Sequence, residues 1–213
     1  MGTVIIQAVR LKRFLLLSFL CLSVSLAAGE ALWSVRAGYG YSDQNDLGEI
    51  LSLQPHPHPA GTSAGGVDIG YLLSKDTWNV PLDFYLRGGV SRFFENGYQP
   101  DFNEVTFYIK AYWNFHPWNK TIRIGLGEGV SYADGIPYVE KLEAEGEGDN
   151  NSKVLNYLDI SLDFDLGEWI GYAPLVRTYC GYALKHRSGI YGLINSVHRG
   201  GSNYNLFYIE HKF

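Results

Sequence analysis

The sequence predicts an all-β fold, an eight-stranded antiparallel up-and-down transmembrane barrel of the bacterial outer membrane. Three observations carry that expectation. Period-two alternation of apolar and polar residues recurs through eight segments, while helical periodicity is scarce. The connections between those segments alternate between short and long. The composition, with 25 Gly, 16 Tyr, 11 Phe and 5 Trp in 213 residues, is that of a sheet protein.

The chain opens on a segment to be set aside before any fold is read. Arg10, Lys12 and Arg13 precede the apolar run FLLLSFLCLSVSLAA, and the small residues Ala27, Ala28 and Gly29 follow. This is the layout of a secretory signal peptide over residues 1–29, which leaves residues 30–213 as a single barrel domain. Cys21 lacks the preceding small residues of a lipid-modified cysteine, and removal of the leader leaves Cys180 alone, so no internal disulfide forms. No later apolar run is long enough for a transmembrane helix, which says nothing against crossing by strands.

The strands are expected near 33–42, 64–74, 80–93, 103–115, 120–132, 153–165, 173–187 and 202–213. Several are ten residues or longer, the length of a tilted membrane span. In 103–115, Val105, Phe107, Ile109, Ala111, Trp113 and Phe115 share one face, and Glu104, Thr106, Tyr108, Lys110, Tyr112 and Asn114 the other. In 153–165, Val154, Leu158, Ile160, Leu162 and Phe164 oppose Tyr157, Asp159, Ser161, Asp163 and Asp165. A soluble sandwich alternates in the same way. The discriminating feature is the mixture of both charge signs with tyrosines on the polar face, where Arg87, Lys110, Arg123 and Arg177 fall, as in a small, filled lumen whose charges pair. Glu210 is expected to face inward, toward Arg36 or Lys212.

The connections 73–80, 115–120 and 165–173 are short, and Trp78, Trp118 and Trp169 beside them form one interfacial belt. The connections 42–63, 94–103, 133–152 and 188–202 are long or polar and belong to the opposite, external rim. The acidic 133–152 stretch reads as a solvated loop. The HPHP run in 42–63 suits partner binding or, as the lesser alternative, a metal on His56 and His58, and no metal or cofactor is assigned. The chain ends on Phe213, with Ile209 and Phe207 on the same parity, which looks like the terminal strand of outer-membrane barrels.

Charge excludes one class of function. The leader removes three of the 17 basic residues and none of the 22 acidic ones, so 14 face 22 and the mature formal charge is −8. A nucleic-acid surface needs a basic stripe, and this chain has none. A lumen filled with Tyr and Arg also leaves no evident channel.

One pair carries chemistry. On strand 173–187, Val176, Thr178, Cys180, Tyr182, Leu184 and His186 share the outward row, and Ser188 continues it beyond the external end. A serine becomes a nucleophile beside a base, and a histidine base needs a third group to fix its tautomer. A pair in this place reaches a lipid more easily than a soluble substrate.

Residues 181–213 resemble the outer-membrane lipid A 3-O-deacylase (PagL) family. His186 and Ser188 match the family's His-x-Ser, Gly192 and Leu193 its Gly-Leu step one residue late, and Tyr204, Leu206, Phe207 and Tyr208 its last strand. The resemblance implies hydrolysis of an ester-linked acyl chain of lipid A or lipopolysaccharide in the outer leaflet, with His186 as base, Ser188 as nucleophile and no cofactor. The chain departs from the family twice. Gly189 stands where the family has an oxyanion Asn, and Ser202, between Gly201 and Asn203, stands where it has a catalytic Glu. The groups left to orient the histidine or hold an oxyanion are Ser202, Asn203, the backbone at Gly189 or Gly192, His198 in the loop, and Glu128. Glu128 falls on an outward row unless a bulge turns it inward. A non-catalytic structural or envelope-binding barrel of the same fold is the alternative.

Overall fold

The structure, a computed structural model, describes residues 31–198 and 201–213; the expected leader lies outside them. Eight strands, β1 (Trp33–Asp43), β2 (Ser63–Ser74), β3 (Leu82–Phe94), β4 (Phe102–Phe115), β5 (Ile122–Ala133), β6 (Val154–Asp165), β7 (Thr178–Ser188) and β8 (Gly201–Lys212), pair with their chain neighbours, and β8 closes on β1. All eight pairings are antiparallel. Among the described residues, no helix is long and apolar enough to cross a membrane, so any crossing is by strands.

The barrel is inside out for water. Val105, Phe107, Ile109, Leu126, Leu162 and Ile209 are exposed on its outer face, while Arg87, Lys110, Arg123, Asp159 and Glu210 are buried within. Leaving such a belt in water forfeits about 25 cal/mol for each Å² of apolar surface, and soluble monomers rarely expose large contiguous apolar patches. A hydrocarbon surround removes that penalty, which makes this a transmembrane barrel.

The lumen holds its charges by pairing them. Arg36 donates to Asp68 and Asp159 at 2.6 Å each, Lys110 also reaches Asp159, and Arg123 donates to Asp163 at 2.7 Å. Glu210 faces inward as expected, but its nearest cations are Arg87 at 3.2 Å and Arg123 at 3.4 Å. One lumen cavity, lined by Arg36, Asp68, Tyr157, Lys185 and Tyr208, measures about 30 Å³, room for no more than a few waters. Asp159→Ala leaves Arg36 and Lys110 buried without their shared carboxylate, so a loss of about 3–5 kcal/mol is expected. Urea titration of the barrel in lipid vesicles, read by the electrophoretic shift between folded and unfolded forms, measures it; an unchanged midpoint would refute the pairing argument.

Two expectations need correction. The seventh strand does not begin at 173: residues 166–177 hold a short helix, α3 (Leu166–Ile170), and a 3-10 turn at Ala173–Leu175. Asp165 caps that helix from its side chain, accepting from Glu168 N–H at 3.0 Å and from Arg177 N–H at 2.7 Å. Arg177 and Val176 therefore belong to the connection, and Arg177 does not line the lumen from a strand. The acidic external segment is likewise no solvated loop. It forms helix α2 (Tyr138–Glu147), ended by Gly148 in the left-handed conformation, and buries Val139, Glu140 and Ala144.

Helix α2 is held by the barrel mouth. Val139 joins an apolar cluster with Phe93, Phe102, Ala133 and Tyr204. Below it, Glu140 accepts from Arg187 Nε and Ser202 Oγ, each at 3.2 Å. A further short helix, α1 (Leu47–Leu51), lies in the β1–β2 connection.

Candidate active site

Strand register decides which side chains meet. Between β7 and β8, His186 stands opposite Asn203 and Ser188 opposite Gly201; between β6 and β7, Leu158 stands opposite His186 and Asn156 opposite Ser188. Residues opposite one another share a face, so His186, Ser188, Asn203 and Asn156 all project from the outer side at the external rim. The β1–β2 connection folds against this patch and completes a cleft of about 590 Å³, whose lining includes Asp46, Leu47, Glu143, Asn156, His186, Ser188, Ser202 and Asn203.

The histidine is oriented by an amide. Its Nδ1 lies 2.7 Å from Asn203 Oδ1, and Asn203 Nδ2 donates to the Asn45 carbonyl at 3.0 Å. Since Nδ2 is committed as a donor, Oδ1 is the acceptor and His186 Nδ1 carries the proton. That leaves the Nε2 lone pair to act as base, on the strand face it shares with Ser188. Among the described residues, no hydrogen bond joins the Ser188 hydroxyl to another side chain. His186 and Ser188 are spaced by one strand repeat, roughly 6.8 Å along the backbone, and such contacts commonly tighten only once substrate is bound.

Ser202 is not the group that faces His186. It lies on the inward row, 4 % exposed, and its hydroxyl donates to Glu140. Gly192 has φ +88° and packs on the His198 ring, which an added Cβ would approach to 2.6 Å. Its N–H already donates to Val197 O at 2.8 Å and is not available to an oxyanion. Gly189 is needed for close approach, since a Cβ there would lie 2.1 Å from Val197 O. His198 lines the cleft but is tied to Asp149, its backbone N–H donating at 2.7 Å and its ring Nδ1 lying 3.6 Å away. Glu128 is exposed on the outward row in uninterrupted register with Ile109 and Leu158, so no bulge turns it inward. It is one strand beyond Leu158 and does not line the cleft.

The rim of the cleft is acidic. Asp46, Glu143 and Glu147 line it, and among the described residues neither Lys nor Arg does. The surrounding protein, followed by the charges of Asp46, Glu140 and Glu147, raises the Glu143 carboxyl to about 7. Glu143 keeps solvent contact, so salt weakens the charge part of this effect. An acid whose folded pKa is raised stabilises the fold below its ordinary pKa and loses that stabilisation as pH climbs from about 4.5 to about 7. Glu143→Gln is therefore expected to slow amide exchange across residues 138–147 at pH 8 and to leave it unchanged at pH 5, after correction for intrinsic rates. Equal protection of both forms at pH 8 would contradict the assignment.

No protein-family model matches the chain, and no curated protein matches it. Solved structures do. The crystal structure of the outer-membrane enzyme PagL is similar over 84 % of this chain and 99 % of PagL, at 14 % identity and a TM-score of 0.56. This likeness is one of fold. The N-terminal β-barrel domain of Pseudomonas aeruginosa OprF matches at 12 % identity over 87 % of this chain and 99 % of that domain, with a TM-score of 0.48. Neisserial surface protein A matches at 14 % identity over 85 % and 97 %, with a TM-score of 0.46.

Two features of the site escape sequence reading. The choice of Asn203 over Ser202 depends on the pairing of β7 with β8. Asn156 left a local signal, a polar residue interrupting the outward apolar row Val154, Leu158, Ile160, Leu162 of β6.

Proposed function

We propose that this chain is an ester hydrolase of the bacterial outer membrane, acting on an ester-linked acyl chain of lipid A or lipopolysaccharide in the outer leaflet. The observation that carries the proposal is the 2.7 Å contact of His186 Nδ1 with an Asn203 side chain that is itself held by Asn45. Ser-His-Asn reproduces the logic of a nucleophile, a base and an orienting amide, as in the Cys-His-Asn sites of other hydrolases. The resemblance of residues 181–213 to the lipid A 3-O-deacylase family supplies the substrate class, and the lipid-facing position of the pair agrees with it.

In the reaction, His186 Nε2 takes the proton of the Ser188 hydroxyl as Oγ bonds to the ester carbonyl carbon, and the carbonyl π pair moves to oxygen. The tetrahedral intermediate expels the sugar hydroxyl, which receives the proton from His186. Water, deprotonated by the same Nε2, then attacks the acyl-serine and releases the fatty acid, restoring Ser188. Asn203 holds the ring and accepts from Nδ1–H throughout.

The acidic rim, with no cation among its described residues, favours a second reading, a non-catalytic envelope barrel, because Asp46, Glu143 and Glu147 would repel phosphate groups there. Incubating the purified, refolded barrel with lipopolysaccharide in vesicles decides between them. Fatty-acid release that depends on Ser188 supports the hydrolase, and no release with or without added divalent cation supports the envelope barrel.

A further inference from the structure

Asn156 is the polar group nearest to the requirement that Ser188 chemistry leaves unmet. Attack by Ser188 places negative charge on the former carbonyl oxygen, and a donor fixed in advance at that point is worth much of the rate. The cleft is poorly furnished with such donors. Gly189, after the serine, offers a backbone N–H but no side chain, Gly192 N–H is spent on Val197 O, and Asp46, Glu143 and Glu147 only accept when ionised.

Asn156 stands opposite Ser188 in the β6–β7 register, where Cβ atoms of paired residues lie about 4.5–5.5 Å apart. It is 7 % exposed and lines the cleft. Among the described residues, none hydrogen-bonds its amide. The amide opens onto the cleft and is not one of the sealed polar atoms of the interior, so a ligand carbonyl in the cleft can accept from it in place of solvent. We propose that Asn156 Nδ2 donates to the substrate carbonyl oxygen and stabilises the oxyanion formed when Ser188 attacks, a catalytic role that rests on the hydrolase reading above.

The donor is neutral, and that suits the place. A Lys or Arg would pair with the acidic rim, whereas an amide stays available to the transient charge. Because the stabilisation grows as charge develops, the role appears in kcat more than in KM.

The test compares wild type with Asn156→Ala, Asn156→Asp and Ser188→Ala in vesicles, each checked for the folded electrophoretic form. Fatty-acid release from lipopolysaccharide is measured alongside the rate of covalent labelling of Ser188 by an alkyl fluorophosphonate. Asn156→Ala is expected to lower kcat roughly 10²–10³-fold with KM within about threefold, and to slow labelling in parallel. Asn156→Asp, which keeps the size and loses the donor, is expected to fall at least as far. Wild-type-like kcat and labelling in both folded Asn156 variants, with Ser188→Ala inactive, would overturn the role of Asn156 and leave the hydrolase standing. Release that persists in Ser188→Ala, or a wild type that neither releases nor labels, would overturn both.

Discussion

Ser188→Ala is expected to lower fatty-acid release from lipopolysaccharide by roughly 10³-fold or more while the barrel stays folded, and His186→Ala by a similar factor. The hydroxyl projects into the cleft from the last position of β7, so its loss removes the atom that attacks and little packing. The more demanding expectation concerns the double variant. A nucleophile and its base act as one unit, and removing both costs about as much as removing either. Ser188→Ala/His186→Ala should therefore release fatty acid at the rate of the single variants. Multiplying losses would show that the two residues act separately, and undiminished release in Ser188→Ala would end the serine mechanism.

The second large effect is expected at Asn203. In the proposed hydrolase it is a positioning residue, acting through His186. Asn203→Ala removes the acceptor of Nδ1–H, frees the ring to exchange tautomers and leaves the Asn45 carbonyl without its 3.0 Å donor. A drop in kcat of about 10²-fold or more follows, with KM nearly unchanged, by comparison with the roughly 10⁴-fold cost of a wrong tautomer in a serine protease. Asn203→Asp separates the catalytic part from the structural part. A carboxylate still accepts from Nδ1–H but cannot donate to Asn45, so kcat should recover toward wild type while the β1–β2 connection loosens. Steady-state kinetics with amide exchange over residues 44–52 reads both. If Asn203→Asp is as slow as Asn203→Ala in folded protein, the histidine is not oriented through this contact.

The two departures from the family pattern look different once the register is known. A Glu expected at the Ser202 position would lie on the inward row, where Ser202 donates to Glu140. The outward group opposite His186 is Asn203, so the site has an orienting side chain of the same hydrogen-bonding sense, without the charge. The Asn expected after the serine is Gly189, pressed against Val197, and the nearest side-chain amide comes from the neighbouring strand.

The chain's alternation was enough to place eight strands, their faces and the filled lumen, because each residue in a strand turns to the side opposite its neighbour whatever it pairs with. By the same rule His186 and Ser188 share one face. The sequence did not reveal helix α2, since Tyr138–Glu147 carries four glutamates and a glycine and becomes ordered through Val139 and Glu140 docking on the barrel mouth. Nor did it show where β7 begins, because the capping of α3 by Asp165 competes with strand extension. The partners of His186 and Ser188 were decided by tertiary structure alone. Alternation is local, whereas register is set by closing all eight strands around one packed lumen, and a one-residue slip would exchange Asn203 for Ser202.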